Sequence, residues 1–358
     1  MNVPWRRWLR LEWITLGVLL LLPLLVPPNR QSNFPGYGTL VDIASRAPEI
    51  FIFAILALGL HVVVGYAGLL HLGIAAFFGI GAYVTGVLTV PAYPFQVGFL
   101  LSLAAATAAA GLAGVVLGAP TLRLRGDYLA LVTLGFGEVV RYSLQNLEEI
   151  TAGTRALNPI RPPRLPTMLG VTDVDWAIDY RYFYFLALGF LVLIVCLLLN
   201  LEKSRLGRAW EALREDELAA TCMGIDASRV KLSAFAVGAA IAGLAGCLYA
   251  TQQTSTTQPD SFDFNRSIVI LCCLILGGLG SIRGTLLGTF LLIGFDNILT
   301  PMISSWIQQS GFNPSGNRWL LFSSWRLMLF GLALILTMRF RPAGLLPAQR
   351  AKAEAAQS

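Results

Sequence analysis

The chain has 358 residues, of which 56 % are hydrophobic and only 13 % charged, and its mean hydropathy is +0.67. A soluble domain carries about 25 % charged residues, so this composition excludes a disordered chain, a disulfide-stapled secreted domain and an ordinary cytosolic enzyme. Lys and Arg number 26 against 20 Asp and Glu, a net charge of +6 whose meaning depends on where the charges sit relative to apolar runs.

A bilayer's hydrocarbon core of about 30 Å takes about 20 apolar residues of helix to cross. Ten stretches approach that length: 11–27, 49–66, 72–90, 97–118, 128–145, 182–200, 231–250, 266–280, 284–300 and 319–338. The predicted fold is all-α, a polytopic membrane protein of about ten transmembrane helices forming one domain over 1–347, with a short tail over 348–358. The first stretch follows Arg6, Arg7 and Arg10, as a signal peptide would, but no small-residue cleavage site comes after it. It reads as a retained helix. With ten helices starting inside, the cytoplasmic segments hold sixteen Lys and Arg and the outer ones eight. That bias places both termini in the cytoplasm.

Between the second and third helices lies Gly65-Tyr66-Ala67-Gly68-Leu69-Leu70-His71-Leu72-Gly73, followed by Phe77, Phe78 and Tyr83. One helix ends in glycines and another begins after them. His71 either donates to a solute or fixes the turn by bonding a carbonyl, the more ordinary role. In the fifth helix Glu138 and Arg141 sit one turn apart, so the pair either neutralises itself or meets a substrate. Asp296 and Arg326 are lesser candidates of the same kind. Residues 146–181, with four prolines, read as an irregular outer loop. Residues 201–231 concentrate charge, with Ala and Leu at helical spacing between the charges, and predict one or two short amphipathic helices on the cytoplasmic side. The pair 266–280 and 284–300 is joined through Gly277, Gly278, Gly280 and Gly284, which form either a turn or a break. Gly280, Gly284 and Gly288 stand four apart, as do Gly114 and Gly118, and small residues at that spacing let helices approach closely in lipid.

Catalytic chemistry is absent from the pattern. The chain has no phosphate-binding GxxxxGK[ST] run, no HExxH and no GxSxG. The five cysteines form no CxxC pair, and the only histidines, His61 and His71, lie in apolar context, so no metal and no cofactor is implied. A transport path is the expected function, and a nucleic-acid partner is not.

The segment from Ser204 through Trp210 and Glu217 to Ile225 closely resembles the ATPase-docking loop of ABC importer permeases, within them the LivM type of branched-chain amino-acid permease. Residues Ala75 to Tyr83, Pro120 to Glu138 and Arg341-Pro342-Ala343-Gly344-Leu345 are similar to that family too, so the resemblance spans about 45–347. It implies a type II-like importer permease in the bacterial inner membrane. Its partners would be a second permease of the LivH type, two ATP-binding subunits that hydrolyse the ATP, and an extracytoplasmic solute-binding protein. The docking contact would fall on Arg214, Glu215, Asp216, Glu217, Ala219, Ala220 and Gly224. Tyr66, His71, Phe77, Phe78, Tyr83, Thr133 and Glu138 are the expected pathway residues, and Gly65, Gly68, Gly73, Gly280, Gly284 and Gly288 the helix-break and packing positions. One stretch departs from the family pattern: where LivM-type chains carry Gln, Ser and His between Gly68 and residue 74, this one has Leu69, His71 and Ile74. Competing readings are a permease for urea, short amides or a sugar and, from another class, a stand-alone channel or secondary carrier.

Overall fold

The computed structural model describes residues 37–121, 124, 126–163, 180–303, 325–341 and 344–346. The expected first helix at 11–27, the latter part of the 146–181 loop and the tail at 348–358 lie outside the described residues. The described elements are helices and loops. Among the described residues, five helical segments are long and apolar enough to cross a membrane: Ser45–Tyr66, Phe99–Thr121, Tyr180–Glu202, Ala227–Gln252 and Ile282–Ile303.

Helix α1 (Tyr37–Leu60) runs on into a π-helical turn, His61–Tyr66. From Ile52 to Leu58 its residues are buried on every face, as a helix that is apolar all round must be when it forms the centre of a bundle. α2 (Ile74–Thr89), α3 (Phe99–Thr121) and α4 (Asp127–Asn146) follow, then a short helical turn at Glu148–Thr151 in the expected loop. α5 (Tyr180–Glu202) leads to two short helices, α6 (Arg205–Glu215) and α7 (Glu217–Cys222), and then to α8 (Ala227–Gln252). α9 (Phe264–Gly277), α10 (Ile282–Gly294, continued by a second π-helical turn at Phe295–Leu299) and α11 (Arg326–Phe340) complete the described chain.

α8 is the second axis of the bundle, and its small residues explain how three neighbours reach it. Its Gly238 lies against Gly59 and Val63 of α1, Gly243 against Ala106 and Ala110 of α3, and Gly246 against Phe78 and Ala82 of α2. In lipid no hydrophobic force draws helices together, so close backbone approach and dispersion must do it. Gly114 and Gly118 pack α3 onto Phe235, Ala239 and Leu232 of the same helix. Close packing is therefore what these glycines do.

The joint near 280 is a turn between two helices. Gly278 and Gly280 take φ of 121° and 86°, a region that favours glycine. The side chain of Ser281 then caps α10 by accepting from Gly284 N at 3.2 Å. The expected face of Gly280, Gly284 and Gly288 is corrected in one member: Gly280 belongs to the turn, and Gly277 takes its place opposite Gly284, with Gly288 against Cys273. The chain returns to seal this end. Leu345 N donates to Leu276 O at 3.0 Å and Leu346 N to Gly277 O at 2.9 Å, so the last two carbonyls of α9 are satisfied.

Candidate functional site

The 201–231 segment folds as two helices, each started by a side-chain cap. Ser204 Oγ accepts from Gly207 N at 3.2 Å, and Asp216 Oδ1 accepts from Leu218 N at 2.8 Å and Ala219 N at 3.0 Å. Gly207, Trp210 and Leu213 lie three apart and form the buried face of α6. The fully buried indole of Trp210 donates from Nε1 to Val230 O at 2.9 Å, at the start of α8. Lys231 Nζ donates to Glu217 Oε1 at 2.7 Å, and the lysine is only 7 % exposed, so this pair ties α7 to α8.

This geometry divides the seven expected docking residues. Asp216 is a helix cap, Glu217 is an internal ion-pair partner and Ala220 is buried. Arg214 is exposed, and its guanidinium donates to Gly65 O at 2.5 Å. Glu215, Asp216, Ala219 and Gly224 are exposed too, beside Leu218 at 68 % and Met223 at 83 % within the same turn. Replacing Asp216 with alanine should therefore fray α7, at a cost of about 1 kcal/mol. Faster amide hydrogen exchange at Leu218 and Ala219 would report it, and unchanged protection there would remove the cap from the account.

α6 rests on the break between α1 and α2. Tyr66 stacks on Trp210 with ring centroids 6.3 Å apart and 12° between planes, and its hydroxyl donates to Glu202 Oε2 at 3.4 Å. Gly68, at φ 69°, leaves room for the stem of Arg214, which a β-carbon there would meet at 2.8 Å. Residues 67–73 then run without helix, a conformation that exposes backbone N–H groups needing partners. Leu72 N donates to Thr133 Oγ1 at 3.1 Å, and Ala75 N to Ser267 Oγ at 3.2 Å. Gly73 has the Thr133 carbonyl where a side chain would be. Thr133 is thus a support for the break.

His71 does not bond a carbonyl, contrary to expectation. Its ring is buried, stacked on Phe77 at 5.6 Å and edge-on to Phe235 at 5.5 Å, and neither ring nitrogen has a hydrogen-bond partner among the described residues. Its apolar neighbours, rather than the turn, decide its placement. Phe78 and Tyr83 belong to the core: Phe78 packs against Tyr249 at 5.2 Å and Phe262 at 5.6 Å, and Tyr83 donates its hydroxyl to Thr257 O at 3.1 Å. Glu138 pairs with Arg141 at 2.7 Å as the spacing predicts. Arg141 also reaches Asp260 at 2.6 Å, and Gln145 Nε2 donates to the same carboxylate oxygen at 2.6 Å. Ala75, Gly137, Glu138, Asp263 and Ser267 line a narrow crevice where α2 begins, between α4 and α9. The expected pathway residues thus fall into three places: Tyr66 beneath α6, Phe78 and Tyr83 in the core, and His71, Phe77, Thr133 and Glu138 around the start of α2. Asp260 and Ser267 join the last group without any local signal in the sequence.

Apolar helices of membrane-crossing length, a helix broken inside the bundle and an amphipathic helix pair seated on that break define a polytopic membrane permease. The chain belongs to the family of branched-chain amino acid transport system permease components, whose profile matches residues 43–338. It is 38 % identical over 351 residues to the high-affinity branched-chain amino acid transport system permease protein LivM of Escherichia coli, covering 93 % of this chain and 75 % of that protein. It is 32 % identical over 169 residues to the permease protein BraD of the high-affinity branched-chain amino acid transport system of Pseudomonas aeruginosa, covering 47 % and 48 %. It is also 24 % identical over 288 residues to the autoinducer 2 import system permease protein LsrC of Salmonella typhimurium, covering 78 % and 76 %. No solved structure matches the chain.

Proposed function

We propose that this chain is the transmembrane permease subunit of an ABC importer for branched-chain amino acids, working with a second permease, two ATP-binding subunits and an extracytoplasmic solute-binding protein in a bacterial inner membrane. One observation carries the reading: a capped amphipathic helix pair is held on a break in the bundle, in a chain that has no ATP-binding motif of its own. Such a pair is a rigid lever with an exposed face, and it needs a motor on another subunit. The naming of the LivM and BraD relatives supports the substrate class.

On this reading the α6–α7 end is cytoplasmic, and its basic residues Lys203, Arg205, Arg208 and Arg229 follow the positive-inside rule. The ten-helix topology expected from the sequence, with both termini on that side, belongs to the same proposal. Glu215, Leu218, Ala219, Met223 and Gly224 form the face offered to the ATP-binding subunit. The crevice at Glu138, Asp263 and Ser267 lies on the solute's route. Reconstitution in liposomes tests the whole proposal. Uptake of labelled leucine should require the ATP-binding subunits, the second permease and the binding protein, and unlabelled isoleucine should compete where urea and ribose do not. Flux through the purified chain alone, or competition by urea in place of isoleucine, would reject it.

A further inference from the structure

α1 and α10 are clasped at two places, and each clasp falls on a π-helical turn. At one end Arg46 Nη1 donates to Asn297 O at 3.0 Å, within the turn Phe295–Leu299. At the other, His61 Nδ1 and Thr285 Oγ1 share a hydrogen bond of 2.9 Å, and His61 opens the turn His61–Tyr66. π-Helical turns are rare, and they concentrate at functional sites because the wider turn costs hydrogen-bond geometry.

The turn at His61 is built around a missing side chain. A β-carbon on Gly65 would lie 2.7 Å from His61 Nδ1 and 2.8 Å from Cε1, so only glycine lets the imidazole lie across the turn. The widened backbone bonds Ala67 N to Val62 O at 3.3 Å, and Leu69 N to Val63 O at 3.0 Å. The Gly65 carbonyl is left for Arg214 of the docking helix. His61 then meets Tyr66 edge-on, with ring centroids 4.7 Å apart, while Tyr66 stacks on Trp210. Contacts therefore run without interruption from Trp210 and Arg214 through Gly65, Tyr66 and His61 to Thr285. Thr285 follows Gly284, the residue at which α10 packs on α9.

We infer that the π-helical turn His61–Tyr66 is where the docking helix engages the bundle, and that His61 and Thr285 are positioning residues that pass its displacement to the α9–α10 hairpin. The inference rests on the importer reading, since it takes α6–α7 as the element moved by ATP. A chain of contacts becomes a coupling path only when both ends bias the same element, and that is measurable.

The test uses the reconstituted importer, reading ATP hydrolysis with and without leucine-loaded binding protein. Thr285→Val keeps the side-chain shape and removes the hydroxyl. It should lower solute-stimulated hydrolysis about fivefold, leave basal hydrolysis and retention of the ATP-binding subunits unchanged, and be rescued by Thr285→Ser. Combined with Arg214→Met, which keeps the aliphatic stem but removes the donor to Gly65, the loss should match the larger single loss and not their product. Stimulation that survives Thr285→Val, an equal fall in Thr285→Ser, or losses that multiply would overturn the relay. If Thr285→Val fails to assemble, Gly65→Ala displaces the His61 ring and is read by the same criteria. A wild-type importer whose hydrolysis ignores solute would overturn the importer reading and the relay with it, whereas solute-stimulated hydrolysis that is indifferent to these variants overturns the relay alone.

Discussion

Replacing Trp210 with alanine is expected to detach α6 from the bundle and to lower solute-stimulated ATP hydrolysis more than tenfold. The indole is the largest fully buried side chain among the described residues, and it joins three elements: α6 by its own backbone, the start of α8 through Val230 O, and the break through its stack on Tyr66. Truncating a buried Trp costs about 3–5 kcal/mol. That loss falls on an 11-residue helix whose buried contacts otherwise come from Gly207 and Leu213. Isolated helices of this length are marginal without packing, so α6 bears the cost before the rest of the bundle feels it. Trp210→Phe keeps a ring for Tyr66 and loses only the N–H donor. Because Ser233 Oγ already donates to Val230 O at 2.7 Å, that carbonyl keeps a partner, and the expected cost is about 1 kcal/mol. Limited proteolysis between residues 201 and 226, together with stimulated hydrolysis, separates the outcomes. Alanine should make the segment cleavable and uncouple it, and phenylalanine should do neither. A protected, fully coupled alanine variant would mean that Trp210 is not the anchor.

What could be read from the sequence here was local. The buried face of α6 repeats every three residues, the caps Ser204 and Asp216 precede their helices, and Glu138 meets Arg141 one turn away; each of these is set by helix geometry. What decides the site is not local. Lys231 pairs with Glu217 from 14 residues away, Asp260 completes the Arg141 pair from 119 away, and Thr285 meets His61 from 224 away. Periodicity marks which face of a helix is small or apolar, but it holds no record of the helix that will cover that face. The glycines show the same division. Gly284 and Gly288 were recognisable as a close-packing stripe, yet the register with Gly277 depended on where the chain turned, and φ at Gly278 and Gly280 set that point. The carbonyl bond expected of His71 is missing among the described residues for a related reason. A histidine near a glycine-rich break invites a hydrogen bond, but Phe77 and Phe235 arrive from elsewhere in the fold and enclose it.

The same contrast makes Gly246→Ala and Gly111→Ala opposite in sign, although both add one methyl group to a helix of the core. In isolation each change favours helix by about 1 kcal/mol. At Gly111 the new β-carbon would sit 3.4 Å from Ala240 Cβ and 3.5 Å from Ala236 O, ordinary van der Waals contacts that require nothing to move. At Gly246 it would collide with the Phe78 carbonyl oxygen and lie 2.9 Å from Ala82 N. These are backbone atoms of α2, so no side chain can rotate away. α2 has to be pushed off α8, and overpacking of this kind costs about 1–3 kcal/mol. The displaced helix is the one whose start receives Ser267 and stands beside the crevice at Glu138. Gly246→Ala should therefore lower the midpoint of thermal unfolding in detergent and reduce transport together. Gly111→Ala should leave transport unchanged with a midpoint equal to or above that of the parent. Equal midpoints for the two variants would show that α2 and α8 are not in backbone contact at Gly246, and would remove the packing argument for the small residues of α8.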